Sequence, residues 1–137
     1  MIFIDTSAWV ALEDKKDIHH DAALKFNIKI AAARNRLITT NYVLDETYTL
    51  LLLDIGYVNT IRFKDKLDDL INRNLIVVFH ISSEIEKIAW NTFEQFNKDK
   101  YWSFTDCTSK VVMENYSIKE SFSFDKHFEQ MGFIRKP

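Results

Sequence analysis

The sequence predicts an α/β domain, with a central, mainly parallel sheet of short strands flanked by helices on both faces. Three observations carry this. Short apolar runs alternate with longer amphipathic segments, the pattern of strand–helix–strand crossovers. Two glycines and one proline in 137 residues are too few for the tight turns of an all-β hairpin fold. The mixture of 47% apolar and 28% charged residues is that of an ordinary globular chain, and its length suits one domain over residues 1–137 with its own core.

The elements follow in order. Ile2-Phe3-Ile4 is a short apolar run stopped by Asp5, as in a buried strand opening into a loop. Thr6 or Ser7 can cap a first helix carrying Trp9, Val10 and Leu12. Asp21 to Arg34 is Ala-rich and amphipathic, hence helical. Leu37-Ile38-Thr39-Thr40 reads as a second strand, after which Asn41 can cap a helix from Tyr42 to about Ile55, closed by Gly56. A further helix is predicted over Asn59 to Asn72 and a buried strand over Leu75 to Ile81. Ser82 or Ser83 caps the next helix, through Phe96, and Thr105 caps one from Asp106 to Tyr116. Ser121 to Phe124 is a strand, Lys126 to Met131 a short helix, and Gly132 ends it.

Composition narrows the function. One cysteine, Cys107, excludes an internal disulfide and a Cys-rich zinc site, and suits the reducing cytoplasm. Asp5 interrupts the first apolar run, so no secretory signal is expected. Asp54 stops the Leu50–Leu53 run far short of a membrane span. A net charge of −2 and a pI near 6.1 mean that any nucleic acid must be met by local basic patches.

Four acids stand out. Asp5 and Asp125 each follow a predicted strand, where side chains meet the crevice at the strand ends. Asp106 opens a helix in Ser103-Phe104-Thr105-Asp106-Cys107. Glu46 lies within one, between Val43 and Leu50 at helical spacing, so it projects from the edge of an apolar stripe where a lone charge is costly. Each has a plainer reading: Asp5 and Asp125 as turn residues, Asp106 as a complement to the helix dipole, Glu46 as a tolerated surface charge. Convergence decides between the two. Four carboxylates sharing one crevice repel, and a hard divalent cation, Mg²⁺ or Mn²⁺, relieves that repulsion through oxygen ligands. Such a site suits phosphodiester hydrolysis by in-line attack of water.

Together these segments resemble the PIN-domain family over nearly the whole chain. Ile2-Phe3-Ile4-Asp5-Thr6-Ser7-Ala8 is similar to the family's opening strand and first acid. Thr39-Thr40-Asn41-Tyr42-Val43-Leu44-Asp45-Glu46 resembles the segment of the second acid, and Ser103 to Cys107 that of the third. Phe122-Ser123-Phe124-Asp125-Lys126-His127-Phe128, followed by Met131-Gly132-Phe133, resembles the fourth and its closing strand. The resemblance implies a PIN-like fold and a catalytic set of Asp5, Glu46, Asp106 and Asp125. In it Asp5, Asp106 and Asp125 hold Mg²⁺ or Mn²⁺, Glu46 helps to position water or a second ion, and Thr6, Ser7 and Thr105 make polar contacts with substrate. It further implies a VapC-type toxin: a cytoplasmic metal-dependent endoribonuclease acting on RNA such as tRNA or rRNA, held by a VapB-like antitoxin and forming a homodimer. Two departures remove no ligand: Met113 to Ile118 lacks the small residue or Gly usual near that turn, and Ser123 replaces the usual Thr.

Other features are weaker. Lys15-Lys16, Arg34 with Arg36, Lys98 with Lys100, and Arg135-Lys136 are candidate RNA contacts, though surface cations are commonly only solvated. Tyr101 and Trp102 precede the third acid, and an exposed ring there could stack on a base, although Trp9 and Trp102 read more readily as core or interface. The four His, at 19, 20, 80 and 127, show no metal-ligand spacing and read as structural or surface residues. Cys107 reads as a small packing residue, and the Leu50–Leu53 run suits a dimer or antitoxin interface as well as it suits core. Two other functions compete. A haloacid-dehalogenase-type phosphatase needs an Asp two residues after its nucleophile, where Ser7 stands. A PIN-like module that binds RNA or protein without cutting is the other.

Overall fold

The computed structural model describes residues 1–137. The order is β1 (Ile2–Ile4), α1 (Thr6–Glu13), α2 (His20–Ala32), β2 (Leu37–Thr40), α3 (Asn41–Asn72), β3 (Ile76–Phe79), α4 (Ser83–Phe96), α5 (Phe104–Asn115), β4 (Glu120–Phe122), α6 (His127–Gln130) and β5 (Ile134–Lys136). All five strands are parallel, in the order β3-β2-β1-β4-β5. The expected α/β sheet flanked by helices is therefore present.

The topology itself locates a crevice. From β1 the chain steps outward through β2 to β3, then returns past β1 to β4 and β5. Right-handed crossovers then put α1, α2 and α3 against one face and α4, α5 and α6 against the other. The packing agrees: α1 lies against α2 and α3, and α4 against α5. The direction reverses between β1 and β4, and the space beyond their carboxyl ends is where such sheets bind ligands. β1 is central and wholly buried, with Phe3 and Ile4 sealed between the layers beside Ile38, Val43, Met113 and Phe122.

Three expected helix caps fall one or two residues away. Asp5 caps α1 rather than Thr6 or Ser7, Thr40 caps α3 rather than Asn41, and Ser103 caps α5 rather than Thr105. In each case the cap is the last extended residue before the helix, where a side-chain oxygen can turn back onto the first free N–H groups. Ser82 caps α4 as expected. Asn41 instead accepts the Ile81 N–H at 2.8 Å, which ties the exit of β3 to the start of α3. The strand predicted over Ser121 to Phe124 ends at Phe122. Beyond it the Phe124 N–H donates to the Ser7 hydroxyl at 2.9 Å. The strand predicted over Leu75 to Ile81 is confined to Ile76–Phe79, and the closing strand falls at Ile134–Lys136 rather than over Met131 to Phe133. The two helices predicted around Gly56 abut in α3, interrupted there by the left-handed φ of 80° that Gly adopts freely.

The four helix-to-strand turns at the opposite, amino end of the sheet share one design. Each passes through a residue of positive φ (Arg34, Asn74, Ser117, Gly132) just before the next strand. The following N–H then bonds a carbonyl five residues back: Asn35 to Ile30, Leu75 to Leu70, Ile118 to Met113, Phe133 to Phe128.

Candidate metal centre

All four predicted acids line one cleft of about 380 Å³ at the carboxyl ends of β1 and β4. Asp5 enters as the cap of α1 and Asp106 from the third position of α5. Glu46 comes from the second turn of α3, and Asp125 from the loop between β4 and α6. Asp125 follows β4 by three residues rather than directly, and Ser123 occupies the strand exit.

Asp5 is held hard. Its Oδ2 accepts the Ser7 hydroxyl at 2.9 Å, the Ser123 hydroxyl at 3.1 Å and the Ser7 N–H at 3.3 Å. A hydroxyl has one proton to give, so the two serines spend theirs on Asp5. Their lone pairs accept the N–H groups of Phe124, at 2.9 Å on Ser7, and Asp125, at 3.0 Å on Ser123. Two small side chains thus weld the start of α1 to the loop that carries Asp125. Burial, and then the neighbouring Asp106, raise the Asp5 carboxyl from the ordinary 3.8 to about 6, against the pull of these donors.

Asp106 closes a capping box: its Oδ2 accepts the Ser103 N–H at 3.1 Å while the Ser103 hydroxyl accepts the Asp106 N–H at 2.9 Å. The plainer structural reading of Asp106 is therefore true, and it does not exhaust the residue. The same Oδ2 accepts His127 Nδ1 at 3.0 Å, and burial raises its carboxyl. Glu46 Oε2 accepts the Thr6 hydroxyl at 3.0 Å. Burial raises this carboxyl too; the hydroxyls of Thr6 and Thr105 oppose that, and the charge of Asp106 adds to it. Thr6 and Ser7, expected as substrate contacts, thus direct their hydroxyls to the site's own carboxylates.

His127 was the residue that sequence reasoning missed. Its Nδ1 lies 3.0 Å from Asp106 and 3.3 Å from Asp125, and its backbone N–H donates to Asp125 Oδ1 at 2.9 Å. Asp106, Asp125 and His127 offer donor atoms within 4.8 Å of one another. The only signal in the sequence was its place two residues after Asp125, which spacing rules for His clusters do not weigh.

The donor set fits a divalent cation. Its acids are oxygen donors, the ligands of Mg²⁺ and Mn²⁺, and one imidazole moves the preference toward Mn²⁺. Burial first, and neighbouring acids second, favour protons on these carboxyls, and a cation would take their place. The other candidates fall elsewhere. Arg36 donates to the Asn74 carbonyl at 3.1 Å at the amino end of the sheet, and Arg135 and Lys136 are paired with Glu129 and Glu120. Lys15 and Lys16 line a separate hollow of mixed charge, in which Lys66 pairs with Glu13. Trp9, Trp102 and Cys107 are core residues, and burial pushes the Cys107 thiol up to about 11, which keeps it inert. No helix is long and apolar enough to cross a membrane.

Comparison with known proteins gives a consistent result. The PIN domain family model matches residues 2–134. A 23S rRNA-specific endonuclease, VapC20 of Mycobacterium tuberculosis, is 33% identical over 135 residues, 98% of this chain and 96% of that protein. A VapC ribonuclease of Archaeoglobus fulgidus is 29% identical over 131 residues, 91% of this chain and 77% of that protein. The crystal structure of M. tuberculosis VapC20, a sarcin–ricin loop cleaving toxin, superposes with a TM-score of 0.82 at 29% identity, covering 98% of this chain and 97% of that one.

Proposed function

The chain belongs to the PIN-domain family, and on that footing we propose that it is a divalent-metal-dependent endoribonuclease, the toxin of a VapBC toxin–antitoxin pair. The observation that carries this reading is the meeting of Asp5, Glu46, Asp106 and Asp125 in one cleft, three of them with carboxyls raised by burial. Asp5, Asp106 and Asp125 would hold the ion, Mg²⁺ or Mn²⁺, with His127 as a further donor. A divalent cation there lowers the pKa of water and offsets charge on phosphoryl oxygens. Glu46, held by Thr6 and set apart from the His127 group, orients the attacking water by accepting its proton. Ser7, Ser123 and Ser103 keep two of the carboxylates in place, so that little reorganisation is needed when RNA enters.

The substrate is RNA. Ribosomal RNA is the reading favoured by similarity to the M. tuberculosis endonuclease, and tRNA is the alternative. An antitoxin of the VapB kind and a second copy of the chain are the expected partners, acting in the cytoplasm. The exposed apolar face of α3 supports this: Leu50 lines the cleft, and Leu53, Tyr57 and Val58 are 75%, 70% and 57% exposed. A catalytically silent module is the weaker reading, because no acid of the set is missing.

The test is incubation of purified protein with a total RNA pool in Mn²⁺, Mg²⁺ or EDTA, beside Asp106→Asn. Discrete fragments that require metal and vanish in the variant are expected. Fragments that persist in EDTA, or that the variant still makes, would overturn the assignment. Light scattering of the free protein should give a dimer mass; a monomer at micromolar concentration removes that part alone.

A further inference from the structure

Four residues other than glycine have positive φ: Arg34, Asn74, Tyr101 and Ser117. Three of them end helices and carry the carbonyl-capping turn described above. Tyr101, at φ 60°, does not. It follows α4 by five residues and precedes α5 by three, and no helix termination requires its conformation. For a bulky side chain the left-handed region costs about 1–2 kcal/mol, and Gly or Asn would occupy it more easily.

The surroundings hold Tyr101 in that state. Asn97 clasps the next residue from both sides, accepting the Trp102 N–H at 2.6 Å and donating to the Trp102 carbonyl at 2.8 Å. Trp102 is itself buried against Phe96, and its Nε1 donates to Gln130 at 2.9 Å. A rigid pedestal thus presents Tyr101 outward, 82% exposed, at the wall of the carboxylate cleft. The other two rings there are committed to the protein, His19 by stacking on Phe124 at 4.3 Å and His127 by its contacts with Asp106 and Asp125. Tyr101 has no aromatic partner, and its hydroxyl makes no hydrogen bond within the protein.

An exposed aromatic ring on a fixed stretch of backbone is a platform for a nucleobase, and only an unpaired base has a free face to lay on it. We propose that Tyr101 stacks on an unpaired base beside the scissile phosphate. The inference rests on the ribonuclease reading and deepens it.

The test compares the wild type with Tyr101→Asn and Tyr101→Phe. Thermal unfolding is followed beside steady-state cleavage, in Mn²⁺, of an RNA that the wild type cuts from the total pool. The same RNA with 2-aminopurine next to the cut site reports stacking in EDTA through quenching of its fluorescence. Tyr101→Asn should melt at or above the wild type, since the backbone strain is eased, yet its KM should rise about tenfold with the loss in KM rather than kcat, and quenching should disappear. Tyr101→Phe should keep the wild-type KM and quenching. A Tyr101→Asn variant with unchanged KM and quenching overturns the proposal, as does one that melts lower and loses kcat, which would mark Tyr101 as structural. A Tyr101→Phe variant as impaired as Tyr101→Asn overturns stacking in favour of the hydroxyl. If the wild type cuts nothing in the pool, the ribonuclease reading falls first and the proposal with it, whereas a wild type that cuts beside an unaffected Asn variant removes Tyr101 alone.

Discussion

The two ends of the sheet are built on opposite principles. At the amino end, four helices turn into strands by the same left-handed turn, and each following N–H finds a carbonyl. Arg36 there is spent on the Asn74 carbonyl. At the carboxyl end, four acids are drawn into one cleft, and the hydroxyls that could have met solvent hold those acids in place. One end satisfies its polar groups, and the other accumulates like charge. The contrast teaches where function lies, because crowding of carboxylates is tolerated only where something else is to bind.

The comparison breaks first at Glu46. Glu46→Gln keeps the bond from Thr6 and removes the proton acceptor, so cleavage should fall by about 10²–10⁴-fold with the fold intact by circular dichroism. Unchanged cleavage would return Glu46 to a tolerated surface charge.

Asp5 sharpens the contrast through stability. Its carboxyl is raised from 3.8 to about 6, so the folded state holds the proton more tightly than the unfolded chain. Below about pH 3.8 both states are protonated and nothing is lost. Between 3.8 and 6 stability declines as pH rises, and above 6 a penalty of roughly 2–4 kcal/mol remains. Asp5→Asn in EDTA should therefore melt higher than the wild type at pH 7.5, with the gap closing toward pH 4. A variant that melts lower at pH 7.5 would mean that the three bonds on Oδ2 outweigh burial.

The amino end should respond in stability alone. Ser117→Gly relieves a left-handed serine and should raise stability by up to about 1 kcal/mol without altering cleavage. A loss of activity there would break the separation of the two ends. Arg36→Ala should have the smallest effect, leaving RNA cleavage within about twofold, because the side chain is far from the cleft end of the strands and bound to backbone.

Legibility in the sequence followed the same division. The alternation of apolar runs and amphipathic stretches was enough to predict the strands and helices, because burial of β1 and β2 is nearly complete and leaves a strong pattern. Caps were misplaced by one or two residues where several polar residues stood in a row, as in Asp5-Thr6-Ser7, since any of them could cap a helix and only the extended one does. The four acids were legible by their places relative to predicted elements. His127 and Ser123 were not, because their roles depend on bonds to Asp106 and Asp5, 21 and 118 residues away in the chain. Tyr101 could be named, but the conformation that singles it out is set by Asn97 and Trp102 and leaves no local signature.

The central claim is that the carboxyl end is a cation site whose charge the fold leaves uncompensated. Thermal unfolding against Mn²⁺ concentration at pH 7.5, for the wild type and Asp106→Asn, tests it most directly. The wild-type midpoint should climb steadily with metal, as expected for a ligand that binds only the folded state, while the variant stays nearly flat. A wild type whose midpoint does not move at millimolar Mn²⁺, or a variant that climbs equally, would contradict it.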